Sequence, residues 1–541
     1  DDEKGFRISD GRGAVVIDNN GLALEASGAI ALTGIPGVEL SAERMSVQVN
    51  TGSDRVTESI ATGEFGDGGE VVIDLDVAAN SFRFSGDDVA LTVAGVTISG
   101  SFAVERFTQN TAALDPVTGD AVLVPSTVTV LAVSGLEMDL GPVMLDGSGV
   151  FLITDAGFAG EATVGVGVNG GDDFQFEGSF GLAFNTSEEE VDRRVTVGGV
   201  SVQLLLPEGP YTRVSGTGVS LTAFGQTISG NFSLERDSQG VIRGGMSGVE
   251  VFLGTDAGTD DEKGFRISDG RGAVVISDTG LAVEASGTID LVGLDLVTFS
   301  AERMTVQVNT GLDPVMESIA TGEFDDDGAP VMVDLDIEAN TFRFTADGVE
   351  LGVADATISG NFMVERFTEY EVEINADGDA ELVPSHVIVV AVNGLNMNLG
   401  PIMLDGSGVF VFTDEGFAGE ATVGVKVASS TTESPIIFEG TFTLAFNNTM
   451  QEVDRRVTVG GESLALLLPK GPYIRVSGTG VKLEAFGQSI SGNFSVEKID
   501  GEIRGGMSGV NVFLGTGAGT TDERGFRISD GRGAVLITDD G

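Results

Sequence analysis

The chain has 541 residues, with 29 Lys and Arg against 83 Asp and Glu for a net charge of −54, and it contains neither Cys nor Trp. Without Cys, a disulfide framework, a zinc–thiolate site, an iron–sulfur cluster and a cysteine nucleophile are all excluded. The charge opposes a nucleic-acid backbone and an anionic membrane surface alike, while 41% apolar residues, among them 32 Phe, argue against disorder.

In chain order, the first recognisable unit is DDEKGFRISDGRGAVVI at Asp1, which returns at Asp260 and, as DERGFRISDGRGAVLI, at Asp522. A block of about 260 residues is therefore present twice, followed by the start of a third. Asn20-Gly21 between short apolar runs reads as a tight hairpin turn with positive φ. Phe82-Arg83-Phe84-Ser85 repeats the opening motif, and Ile98-Ser99-Gly100-Ser101-Phe102 follows it as a strand. The stretch from Thr108 to Pro125 reads as the longest exposed hairpin tip. Val128-Thr129-Val130-Leu131-Ala132-Val133 is apolar on both sides and reads as a central strand; Leu136, Met138 and Leu140 then alternate with Glu137 and Asp139. At Asp146, DGSGVFLITDAGFAGEATVG echoes the first hairpin, giving a half-period of about 130 residues. Tyr211-Thr212-Arg213-Val214-Ser215 and Ile228-Ser229-Gly230-Asn231-Phe232 mark a weaker quarter-period of about 65. Asp237-Ser238-Gln239-Gly240 shortens to Asp500-Gly501 in the second block, which marks an exposed turn.

No segment has a helical period, and Gly and β-branched residues fill every window. The expected fold is all-β: tandem antiparallel β-sandwich-like repeat modules, about four strands per 65 residues, with sheets able to continue between modules. The alternative is a wide β-solenoid. The expected division is 1–10 as the end of a preceding module, 11–146, 147–269, 270–405 and 406–530 as four β-modules, and 531–541 as the start of the next.

The chain begins at Asp1 without a basic-then-apolar leader, so a signal peptide is expected to be absent or removed. There is no run of about 18 apolar residues, and no membrane insertion is expected. The acidic balance suits a saline medium, with an extracellular or cell-surface location.

Candidate chemistry is sparse. The lone His386 is replaced by Thr127 one block earlier. Glu137 and Asp139 become Asn396 and Asn398, an exchange that a general acid or base would not survive. The best site is an acidic loop of Asp256, Asp260, Asp261, Glu262 and Asp269, with copies at Asp1, Asp2, Glu3 and Asp10 and at Asp522, Glu523 and Asp530. Clustered carboxylates at a module junction suit Ca²⁺, which takes six to eight oxygens. No other cofactor is implied. Arg7, Arg83, Arg213, Arg266, Arg343, Arg475 and Arg527 recur at one motif position and are expected to bridge carboxylates. Asn185, Asn231, Asn447 and Asn493 lie in N-x-S/T triplets open to sugar attachment.

These near-identical copies, with exposed tips and an acidic surface, resemble the tandem arrays of giant bacterial surface proteins and adhesins. The resemblance implies a non-enzymatic structural segment of a long secreted or cell-surface filament, extended by module-to-module β packing. Its partners would be copies of itself along the array and laterally, with a glycan or surface target, and without nucleic acid. The alternative is a Ca²⁺- or glycan-binding adhesive module array. A glycan hydrolase is disfavoured, because three Tyr and no Trp make a poor sugar-stacking cleft.

Overall fold

The computed structural model describes residues 5–35, 38–66, 69–114, 121–171, 174–197, 200–223, 226–256, 259, 261–293, 297–354, 356–374, 380–428, 436–517 and 521–538. Asp1, Asp2, Glu3 and Asp260 of the acidic-loop expectation lie outside them. Every regular element among the described residues is a β-strand, as expected. The first block carries β1 (Gly5–Asp18), β2 (Gly21–Ile35), β3 (Val38–Asn50), β4 (Val56–Gly66), β5 (Gly69–Val77), β6 (Ser81–Val93), β7 (Val96–Leu114), β8 (Ala121–Asp139), β9 (Val143–Thr154), β10 (Gly157–Asn169), β11 (Phe174–Asn185), β12 (Val191–Val197), β13 (Val200–Leu206), β14 (Tyr211–Ala223), β15 (Gln226–Arg236) and β16 (Ile242–Thr255). The second repeats the order as β17 (Lys263–Ser277), β18 (Gly280–Val292), β19 (Val297–Asn309), β20 (Val315–Phe324), β21 (Pro330–Ile337), β22 (Thr341–Val353), β23 (Ala356–Ile374), β24 (Ala380–Asn398), β25 (Ile402–Thr413), β26 (Gly416–Ala428), β27 (Ile437–Asn447), β28 (Val453–Val459), β29 (Glu462–Leu468), β30 (Tyr473–Ala485), β31 (Gln488–Ile499) and β32 (Glu502–Thr516), with β33 (Arg524–Ile537) following.

Among the described residues, twenty-five strands pair with neighbours as sheet strands, and eight form the two-stranded ribbons β4–β5, β12–β13, β20–β21 and β28–β29. The chain divides into two compact units, Asp1–Ser247 with Ala320–Met332, and Gly248–Ile319 with Val333–Gly541. In the first unit β1, β2, β3, β6, β7, β8, β9, β10, β11, β14 and β15 pair antiparallel in that order. In the second, β17, β18, β19, β22 to β27 and β30 to β33 do the same. The solenoid alternative fails here, because stacked coils place parallel strands side by side and these neighbours are all antiparallel.

The quarter-period motif is a β-bulge. Register slips by one residue between Gly86 and Val89, Gly216 and Val219, Ala346 and Val349, and Gly478 and Val481. Each slip holds a residue in the left-handed region: Asp88, Gly218, Gly348 and Gly480, with φ of 47°, 58°, 59° and 62°. The residue after the recurring Ser-Gly accepts the exposed N–H there. Ser101 Oγ takes it from Asp88 at 3.1 Å, and Asn231, Asn361 and Asn493 Oδ1 take it from Gly218, Gly348 and Gly480 at 2.7, 2.8 and 2.7 Å. The Phe that ends the motif lies over the facing small residue: a Cβ at Gly216 would sit 2.2 Å from the Phe232 ring.

Turns follow local chemistry with two differences from expectation. Asp500 and Gly501 both have positive φ, 50° and 84°, and close a two-residue hairpin from Ile499 to Glu502. At Asn20-Gly21 the turn is Asn19-Asn20, and Gly21 opens β2 at φ 143°, where a Cβ would lie 2.6 Å from Thr51 Oγ1. The tip expected from Thr108 to Pro125 is largely strand. β7 runs to Leu114 and β8 starts at Ala121, with Asn110 opposite Pro125; residues 115–120 lie outside the described ones.

The ribbons fold back over one face of the sheet and make the core. Beneath β12–β13, Val128, Val130, Ala132, Val150 and Leu152 meet Val195, Val197, Leu204 and Leu206. Beneath β28–β29, Val387, Val389, Ala391, Val409 and Val411 meet Val457, Val459, Leu466 and Leu468. Ala14 and Ala23 meet Leu75 and Val77 under β4–β5. Complete burial of Leu204 or Leu466 contributes on the order of 2 kcal/mol. The expected sandwich is thus corrected, since the second layer is a two-stranded ribbon instead of a matching sheet.

A buried Asn ties each ribbon base. Asn185 Nδ2 donates to the Glu189 and Pro207 carbonyls at 2.7 Å, and its Oδ1 accepts from Ser187 N at 2.9 Å and Ser187 Oγ at 2.7 Å. Asn447 repeats this with Gln451, Pro469 and Thr449. Asn50 and Asn309 make the same clip on Asp54 and Val77, and on Asp313 and Ile337. With its amide fully engaged and its side chain buried, neither Asn185 nor Asn447 presents a glycosylation site.

Candidate functional site

The face of the sheet opposite the ribbons is built by alternation. Under the first unit's ribbon Val130 and Ala183 are 1% and 2% exposed, so their neighbours Leu131 and Leu182 must point the other way, where they are 37% and 44% exposed. Strand pairing lines such residues into rows. In the first unit Leu32, Leu40, Leu91, Ile98, Met138, Leu145 and Val166 stand opposite one another across seven strands. In the second, Val392, Gly408, Ala421, Leu444, Val476 and Val496 form another row. Phe151 and Phe184 close over Gly160 with centroids 6.4 Å apart, and Phe417 meets Phe446 edge-on at 5.2 Å.

Carboxylates are kept off this face. Away from the bulge residues, the outward positions of the sheet strands from β2 to β15 and from β18 to β31 hold no Asp or Glu among the described residues. Glu25, Glu105, Glu137, Asp146, Glu161 and Glu177 all fall on the other parity. A soluble monomer rarely leaves more than a few hundred Å² of contiguous apolar surface open. The run Val128 to Val133, read as a doubly buried strand, is covered on one side only.

The recurring Arg side chains lie on the ribbon side, and their expected bridging of carboxylates is found in several forms. Arg213 meets Glu161 at 3.0 Å, Arg475 meets Glu420 at 2.9 Å and Arg343 meets Glu365 at 2.6 Å, each across strands. Arg266 and Arg527 pair with Glu262 and Glu523 four residues earlier. Arg83 instead donates to the Thr196 carbonyl of the ribbon at 2.8 Å. A second set latches the ribbon. Arg455 stacks 5.0 Å above Phe367 and holds Glu369 at 2.8 Å; Arg193 stacks 4.8 Å above Phe107 and donates to Gln109. Sequence reading missed this latch. The paired Arg in VDRRVTV at Val191 and Val453 was its only trace.

The acidic loop is not assembled as an ion cage. Asp256 is a turn residue at φ 58° whose carbonyl accepts from Thr259, and Asp261 N donates to Thr259 Oγ1 at 3.3 Å. Glu262 is paired with Arg266, and Asp269 with Arg271 and Arg303 at 3.2 and 3.1 Å. No three carboxylate or His side chains among the described residues are grouped to hold a metal. His386 lies opposite Thr368 on β23, 3.4 Å from its hydroxyl.

No protein-family profile matches the chain, and no curated protein does. Among solved structures, it is similar to the siderophore receptor PirA from Pseudomonas aeruginosa at 8% identity and TM-score 0.19, over 99% of this chain and 80% of the receptor. It is similar to the ferric yersiniabactin uptake receptor FyuA from Yersinia pestis at 8% and 0.14, over 99% and 80%. It is also similar to BauA, the ferric preacinetobactin receptor from Acinetobacter baumannii, at 8% and 0.17, over 98% and 74%. At such scores, neither the fold nor the ligands of these receptors carry over to this chain. They are receptors and not enzymes, and none is a repeat adhesin or a filament protein. The expected kinship with giant surface arrays is corrected, and with it the filament function, the calcium- or glycan-binding adhesive alternative and the self-partnered assembly. The structure supplies a physical reason. Strands inside each unit are already paired at both edges, as β8 with β7 and β9 and β24 with β23 and β25, and what stays open there is a face. The expected exclusion of membranes is corrected too. Among the described residues no helix is long and apolar enough to cross a bilayer, but that criterion does not apply to strands with alternate apolar side chains.

Proposed function

We propose that the ribbon-free face of the sheet lies against lipid hydrocarbon, making the chain a membrane-embedded β-protein of the cell surface with no catalytic role. One observation carries this reading: an apolar, carboxylate-free face on strand after strand, in a chain with 83 acidic residues. From Phe158 to Val168 the outward positions of β10 are Phe, Gly, Ala, Val, Val and Val. Ten steps along a strand tilted about 40° cover about 26 Å, close to the height of an outer-membrane apolar band. Strands inside each unit are hydrogen-bonded on both sides, so their backbone groups need no water, as hydrocarbon requires. The four repeat modules 11–146, 147–269, 270–405 and 406–530 are proposed as the repeating unit, each carrying its own lipid-facing strands.

The chain lacks Trp, so a single introduced indole reports alone. Leu182→Trp in the full chain is expected to be quenched by lipids brominated on their acyl chains, whereas Thr163→Trp, on the opposite face of β10, is not. An unquenched Leu182→Trp in a monodisperse, detergent-free protein would overturn the proposal.

A further inference from the structure

At one edge of the apolar face each module carries one cation. The sequence Val104-Glu105-Arg106 recurs as Leu234-Glu235-Arg236, Val364-Glu365-Arg366 and Val496-Glu497-Lys498. Alternation separates the pair. The Glu faces the ribbon side, opposite the recurring Arg83, Arg213, Arg343 and Arg475. The cation faces the open side. Arg106 stands between Phe82 and Thr129, Arg366 between Phe342 and Ile388, Lys498 beside Ile474, and Arg236 beside Thr212. All four are exposed, and they make no ion pair among the described residues. Each lies level with the last apolar positions of its strands, such as Ile153 and Phe158 in the first unit and Phe412 and Phe417 in the second.

We infer that these four side chains bind the phosphates of anionic phospholipid headgroups, in each unit at one end of its strands, and so fix which way that unit's sheet faces. The inference rests on the lipid-facing reading and deepens it. A long cationic side chain at the border of hydrocarbon extends along apolar neighbours to place its charge among headgroups. Charge complementarity selects the occupant. The net charge of −54 would repel an anionic surface, but the outward strand positions beside these cations hold no carboxylate, and physiological salt screens the carboxylates of the turns, ribbons and other face over a Debye length of about 8 Å. On the outward strand positions of this rim the charged side chains are cations.

The test uses the full chain, with binding to phosphatidylcholine vesicles compared with binding to vesicles that also contain phosphatidylglycerol. The intact chain is expected to prefer the latter, by about fivefold per cation, with the preference lost in high salt. Replacing Arg106, Arg236 and Arg366 by Gln together with Lys498→Gln is expected to lower that preference at least about a hundredfold. Lys at the three Arg positions should restore it. Leu182→Trp quenching is read in both backgrounds. Retained quenching with an unchanged lipid preference overturns the headgroup inference alone. Quenching lost from the intact chain overturns the lipid-facing reading and this inference with it.

Discussion

Arg475 and Glu420 meet at 2.9 Å although their strands are not neighbours. β27 runs between them, and Ala445, 0% exposed, lies directly beneath the pair with a methyl group short enough to let it close. Arg213 and Glu161 repeat the arrangement across Ala183 at 3.0 Å. The expected effects separate the ion pair from the space it occupies. Both charged side chains are about a third exposed, so Glu420→Gln should cost less than about 1 kcal/mol. Ala445→Leu fills the gap under the ribbon core and should cost about 1–3 kcal/mol. Urea-unfolding midpoints of the two variants check the order, which fails if Glu420→Gln is the more damaging.

Asn447 supports the base of β28–β29 through four hydrogen bonds. Asn447→Ala leaves the Gln451 and Pro469 carbonyls without these donors, and about 2–4 kcal/mol of local stability should be lost. Hydrogen exchange is the direct measurement. Amides of β28 and β29 should exchange faster, while those of β25 and β26 stay protected. Uniform acceleration across the sheet would show that the clip is not local.

Calcium should leave thermal stability unchanged. Glu262 and Asp269 are held by Arg266, Arg271 and Arg303, and an ion stabilises only a fold that binds it. A rise in Tm on adding millimolar Ca²⁺, absent in an Asp261→Asn variant, would contradict this.

Asp237 in the turn between β15 and β16 should make stability fall in acid. Burial alone pushes its carboxyl up, but Arg243 at 2.6 Å and the amides of Val241 and Gln239 outweigh that and hold it below its usual 3.8. A carboxyl held low in the fold contributes its full stabilisation above its unfolded pKa and loses it as the pH drops through the folded value. The loss therefore falls below about pH 4. Asp237→Asn should flatten the stability profile in that window, because the variant is less stable than the parent chain near neutrality and equals it in acid.

Strands, repeats and the short hairpin at Asp500-Gly501 were legible because each is written in neighbouring residues. Two-residue alternation, Gly and Asp at positive φ, and an exact recurrence of motif need no distant partner to be recognised. The bulge motif was visible as a pattern, but its meaning was not, because the hydrogen bond from Gly218 to Asn231 joins two strands. In the acidic loop the partners of each carboxylate were equally hidden. Proximity in sequence suggested convergence, whereas strand geometry sends Glu262 and Asp269 to different arginines. Glu105 and Arg106 are adjacent in sequence, yet alternation places them on opposite faces.

The sequence alone determined the local conformation, because backbone preference and side-chain period act over a few residues. Only the tertiary structure decided which apolar side is covered. A ribbon can fold back over one face and leave the other bare, and both faces are written with the same Val, Leu and Phe. The choice depends on where β12–β13 and β28–β29 pack, a contact between segments far apart in the chain that no short window contains.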